Sequence, residues 1–156
     1  MRRLKQIKLT YREKTGTSYK IVWEESAGGK LWEKHLLESS EYPRAELEEA
    51  VDDMGRFLVE VCALRLTAEQ ARRNVDVTRV VADYRSVRRV AISADVLLPS
   101  SYTIALNGPA MPCQPQGDEL DRSFAKLEEE CFRYIDGDRA QQKLFGDEAE
   151  GEEAKE

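Results

Sequence analysis

The chain has 156 residues, 41% of them hydrophobic and 35% charged, enough for one domain with a real core. No apolar run approaches the roughly 18 residues that a membrane-spanning helix needs, and Met1-Arg2-Arg3-Leu4-Lys5-Gln6 lacks the apolar stretch of an export signal. A cytoplasmic protein with no membrane partner is therefore expected.

The net charge of −6 is unevenly spread: residues 1–110 carry a net +2 and residues 111–156 a net −8. Gly146 to Glu156 hold six carboxylate side chains and no large apolar residue. Such a segment buries too little to offset its ordering entropy, so a disordered acidic tail is expected over 146–156.

Residues 4–11 read as a strand with Ile7, Leu9 and Tyr11 on one face. Lys14-Thr15-Gly16-Thr17 reads as a turn, and 18–25 as a second strand with Tyr19, Ile21 and Trp23 alternating. A glycine turn at Ala27-Gly28-Gly29 leads to a third strand over 30–38. Leu47, Val51, Met54, Leu58, Val61 and Leu64 then recur at spacings of three and four, which predicts one amphipathic helix of roughly 22 residues. Gly55 interrupts it, a position suited to close packing.

Thr67 to Asn74 reads as a polar connection. Strands are predicted over 75–84 and 87–98, joined by a short turn at Arg85-Ser86, and a sixth follows Pro99-Ser100. Met111 to Gly117 reads as a linker-like loop. Asp118 caps a last helix with the stripe Leu120, Phe124, Leu127, Cys131 and Tyr134, and Asp136-Gly137-Asp138 breaks it. The order βββ-α-βββ-α, with tight turns, implies an α+β fold with a largely antiparallel sheet. Residues 1–138 are expected to be its single domain.

Catalytic candidates are few. The cysteines Cys62, Cys113 and Cys131 are widely spaced and there is one histidine, His35. This argues against a zinc site, a disulfide framework and a histidine-based triad. Cys62 and Cys131 read as small core residues and Cys113 as a loop thiol. Glu48, Glu49, Asp52 and Asp53 read as a solvated acidic helix face, since adjacent helical residues diverge by about 100°. No Gly-rich loop joins a strand to a helix. No enzyme activity, metal or cofactor is expected.

Arg72, Arg73, Arg79, Arg85, Arg88 and Arg89 cluster in a window whose only acids are Asp76 and Asp83. Arg79, Arg85 and Arg89 could join Tyr84 in a nucleic-acid-binding surface. The plainer reading is a charged face paired with the acids of the first helix, with the arginines divided between strand faces.

Gln141-Gln142-Lys143-Leu144-Phe145 stands between the helix break and the acidic end. It resembles the short peptide by which bacterial polymerases, repair proteins and some phage proteins dock on the DNA polymerase III β sliding clamp. That peptide reads Gln, two variable residues, Leu, Phe, and Gln141, Leu144 and Phe145 occupy its anchor positions. Gln142 stands where a small aliphatic residue is common, and Lys143 where Ser or Asp is common. The competing reading continues the helical stripe through 127, 131, 134, 138, 141 and 145, which would place Asp138 and Gln141 at core positions.

The resemblance implies a non-catalytic accessory protein of DNA metabolism, similar to small phage and prophage proteins, with 139–145 as its clamp-binding peptide. The alternatives are a nucleic-acid-binding module on the arginine-bearing strands, and an oligomeric interaction or anti-defence protein whose last helix makes a subunit contact.

Overall fold

The structure, a computed structural model, describes residues 1–28, 31–113 and 118–140. It is α+β, with helices laid on one face of an antiparallel sheet.

The strands are β1 (Arg2–Arg12), β2 (Gly16–Glu25), β3 (Glu33–Ser39), β4 (Val75–Asp83), β5 (Arg89–Leu97), β6 (Thr103–Asn107) and β7 (Met111–Pro112). Their order is β3-β2-β1-β4-β5-β6, and β7 pairs with β5 beyond the end of β6. The linker reading of 111–117 thus misses a two-residue strand. Its cause is local: the Cys113 N–H donates to the Arg88 carbonyl at 2.8 Å, fastening the segment to β5.

Period-two alternation assigns the two faces. Ile7, Ile21, Val80 and Ile92 are buried on one. The helices are α1 (Ala45–Asp53), α2 (Gly55–Val61), α3 (Ala68–Asn74) and α4 (Glu119–Ile135). They cover that face, with Leu47, Met54, Leu58, Phe124, Leu127 and Cys131 completing the core.

Two expectations need correction. The single long helix is two. At Met54 the bonding tightens, with the Met54 N–H on Val51 O and the Phe57 N–H on Met54 O, a three-residue spacing that interrupts the α-helical ladder. Gly55 then brings the helix backbone against β4: a Cβ there would lie 3.2 Å from Val75 Cγ1 and 3.3 Å from Val77 Cγ2. The second helix stops at Val61, which is 41% exposed, because Ala63 turns left-handed at φ 53°. The polar connection is itself a helix, α3. A reciprocal cap starts it: Thr67 Oγ1 accepts from the Gln70 N–H at 3.1 Å, and Gln70 Oε1 accepts from the Thr67 N–H at 2.9 Å.

A bulge in β1 between Leu4 and Gln6 shifts the register against β2. The backbone groups it frees at Leu4 are satisfied by side chains. The Leu4 N–H donates to Glu128 Oε2 of α4 at 2.8 Å, and the Tyr84 hydroxyl donates to the Leu4 carbonyl at 2.6 Å. The bulge thereby ties the sheet to the helix layer and to the end of β4.

Candidate functional site

The other face of the sheet carries no described helix. Its side chains form rows running across the strands. The central row is Leu36, Val22, Gln6, Val81 and Ala91, from β3, β2, β1, β4 and β5. On one side runs Glu38, Lys20, Lys8, Arg79, Ser93 and Asn107, in the same strand order and on to β6. On the other side Glu24 faces Lys34 and Arg3 on its two flanks, and further along Asp83 faces Arg89. Lys5, Lys20 and Lys34 surround a shallow hollow of about 270 Å³ floored by Val22 and Val81.

Lys20, Lys8 and Arg79 are therefore cations at directly opposed positions on three adjacent strands. Like charges so placed repel across about 5 Å of sheet. Among the described residues the ion pairs of this face are Arg3–Glu24 at 2.8 Å and Arg85–Asp83 at 3.3 Å, and Lys8, Lys20 and Arg79 enter none. The face has an acidic end too. Asp76 lies opposite Asp95, and burial, followed by the charge of Asp95, raises the Asp76 carboxyl above its ordinary range.

The arginine cluster read from the sequence divides. Arg79 and Arg89 share the open face, because Arg79, Val81 and Asp83 alternate with buried Val80 and Ala82. Arg85 sits in the turn, with its side chain 90% exposed beside Asp83. Arg88 points to the helix layer, pairs with Asp121 and packs over the Phe124 ring. The expected pairing of Arg79 and Arg89 with the acids of α1 is corrected: α1 lies on the opposite face. Tyr84 is not a free stacking platform beside these arginines either. Its hydroxyl is committed to Leu4, and Arg3 and Lys5 lie over its ring at 4.4 and 5.6 Å. Arg3 also covers the Trp32 ring at 3.9 Å.

Catalytic chemistry gains no support from the thiols. Cys131 is fully buried and burial raises its thiol strongly. Cys113 is 2% exposed rather than a loop thiol open to solvent, and burial raises it against the opposing pull of Arg88. His35 stacks on Trp23, ring centroids 5.5 Å apart. Among the described residues no group of His, Cys, Asp or Glu converges as metal ligands do. No described helix is long and apolar enough to cross a membrane.

The end of α4 has defined geometry. Gly137 is left-handed at φ 98°. Its N–H donates to the Tyr134 carbonyl at 3.1 Å, and the Asp138 N–H to the Arg133 carbonyl at 2.8 Å, the paired bonds of a glycine helix stop. The helix does not run on through Gly137, and Asp138 is half exposed rather than a core residue. Arg139 then folds back: its Nε donates to the Tyr134 carbonyl at 2.9 Å, and Nη1 pairs with Glu41 at 2.9 Å. The Ala140 N–H donates to the Tyr42 carbonyl at 3.0 Å. The body thus extends to Ala140. Gln141, Leu144 and Phe145 lie outside the described residues, as does the acidic segment 146–156.

Sequence reasoning missed Lys8 and Lys20. A signal for them existed: the turn at Lys14-Thr15-Gly16-Thr17 folds β1 onto β2 so that Lys8 meets Lys20. Their alignment with Arg79 depends on β1 pairing with β4, a distant contact that no local pattern announces. No protein-family model matches the chain, and neither a curated protein nor a solved structure matches it.

Proposed function

We propose that this protein is a non-catalytic accessory factor of bacterial or phage DNA metabolism that docks on the DNA polymerase III β sliding clamp through Gln141, Leu144 and Phe145. The supporting observation is the stop of α4 at Gly137. The buried stripe of that helix ends at Tyr134, which supports reading the peptide as a unit apart from the helix. The same stripe is turned inward, which disfavours a subunit contact made by this helix.

In this reading Arg139 and Ala140 fix the point of departure on the body. The Gln141 amide supplies a donor and an acceptor to a polar subsite. Leu144 and Phe145 enter an apolar groove, each worth about 1.5–3 kcal/mol if fully buried. Immobilising the segment offsets part of that gain, so micromolar affinity is expected, about −8 kcal/mol. The acting compartment is the cytoplasm, where the clamp works.

The test is binding of the full chain to immobilised clamps from several bacteria. Changing Leu144 and Phe145 together to Ala should remove about 2 kcal/mol or more of binding and leave the melting temperature unchanged. Failure of the wild-type chain to bind any of the clamps rejects the proposal.

A further inference from the structure

We infer that the open face of the sheet binds single-stranded nucleic acid, with Lys20, Lys8 and Arg79 holding the phosphate backbone. The row is built at a cost. Three like charges stand in register on neighbouring strands; Glu38 faces Lys20 from the edge strand, but among the described residues none of the three cations forms an ion pair. A polyanion lying along the row removes that repulsion, and it releases the counterions that otherwise screen the face.

The neighbouring row decides which polyanion fits. Leu36, Val22, Val81 and Ala91, with Gln6 between the two valines, form a mostly apolar line directly beside the cations, in which Val22 is buried. Leu36 is 52% exposed, so this line is open at the sheet edge. Lys34, Lys5 and Arg89 lie on its far side, where Glu24 faces Lys34 and Asp83 faces Arg89. The pattern is a cationic track beside an apolar one, which matches a chain with anionic phosphates on one side and flat base surfaces on the other. A duplex satisfies only the cationic track, because its base faces are stacked inside. The acidic segment 146–156 of this chain likewise offers carboxylates and no large apolar side chain, so it leaves the apolar row unmatched.

The site uses none of Gln141, Leu144 and Phe145, so its failure would not bear on clamp docking. The experiment is fluorescence anisotropy of a labelled oligothymidylate of about 20 nucleotides with the full chain. Three backbone contacts give a slope of log affinity against log salt of about −2, and about 20-fold weaker binding at 200 mM than at 50 mM salt. Replacing Lys8, Lys20 and Arg79 together by Gln should flatten the slope by that amount and weaken low-salt binding at least 20-fold. The variant should melt no lower than wild type, because repulsion has been removed. Arg72→Gln with Arg73→Gln, on α3 in the helix layer, should bind as wild type does. Three results overturn the inference: no binding by the full chain at about 25 mM salt, undiminished binding by the triple variant, or unlabelled duplex competing as well as unlabelled single strand.

Discussion

Arg44 reaches the buried carboxylate of Glu130 across the helix layer, with Nη1 3.5 Å from Oε1. Glu130 is only 2% exposed, and its other cation is Lys126, 3.5 Å from Oε2. Arg44 also pairs with Glu46 at 3.0 Å and Asp138 at 3.2 Å, so one guanidinium joins the start of α1, the middle of α4 and the turn after it.

Removing that guanidinium leaves a buried charge with half its compensation. Breaking a buried pair costs about 3–5 kcal/mol when no other partner remains. With Lys126 still present, Arg44→Ala should lower the urea midpoint at neutral pH, by less than loss of both partners would. Adding Glu130→Gln to that variant should recover part of the loss, since the uncompensated charge disappears. A double variant less stable than Arg44→Ala alone would show that Glu130 is held by contacts other than charge.

Asp76, set opposite Asp95, gives stability the opposite pH dependence from a salt-bridged carboxylate. Burial raises the Asp76 carboxyl first, and the charge of Asp95 adds to it. Its folded pKa thus lies above the unfolded one, so ionising it opposes folding. The penalty is absent below the unfolded value and complete above the folded value. Asp76→Asn should therefore stabilise the protein at pH 7 by roughly 0.5 kcal/mol, the scale of opposed like charges on a sheet. The gain should vanish as the pH falls below the ordinary aspartate range. Thermal melts of both proteins across that interval measure it, and a gain independent of pH would assign the effect to something other than charge.

Ala63 ends α2 in the conformation that Gly137 adopts at the end of α4, but with a Cβ. The Ala63 N–H donates to Glu60 O at 3.1 Å and the Leu64 N–H to Val59 O at 3.0 Å, the same paired bonds. Ala63→Gly should stabilise the fold by about 1 kcal/mol, because the left-handed backbone carries that penalty for a residue with a side chain. A loss on this substitution would mean that the greater freedom of glycine in the unfolded chain outweighs the relief.

Much of this fold is legible locally. Alternation in Tyr19, Ile21 and Trp23 and in Val90, Ile92, Ala94 and Val96 marks strands with one buried face, and these residues are buried. Asp118 caps α4 by accepting from the Asp121 N–H at 2.7 Å, as its position before an apolar stripe implies. What resists reading depends on backbone detail or distance. The break at Met54 interrupts a helical stripe that stays in phase across it. α3 has no buried residue, so it carries no hydrophobic period to detect, only its cap. The open face is illegible for another reason: a strand shows which side chains alternate, and never which strand lies beside it.

The junction of β1 and β4 is the narrowest in the sheet's middle. Only Gln6, Ile7 and Lys8 pair across it, with Val81, Val80 and Arg79, although the paired residues lie about 70 positions apart in sequence. On one side β1, β2 and β3 form a meander of adjacent segments, and on the other β4, β5 and β6 form a second. Each can zip from its own turns in microseconds, whereas the seam must close the long loop between them. The chain's folding rate should therefore follow the closure of these three residue pairs.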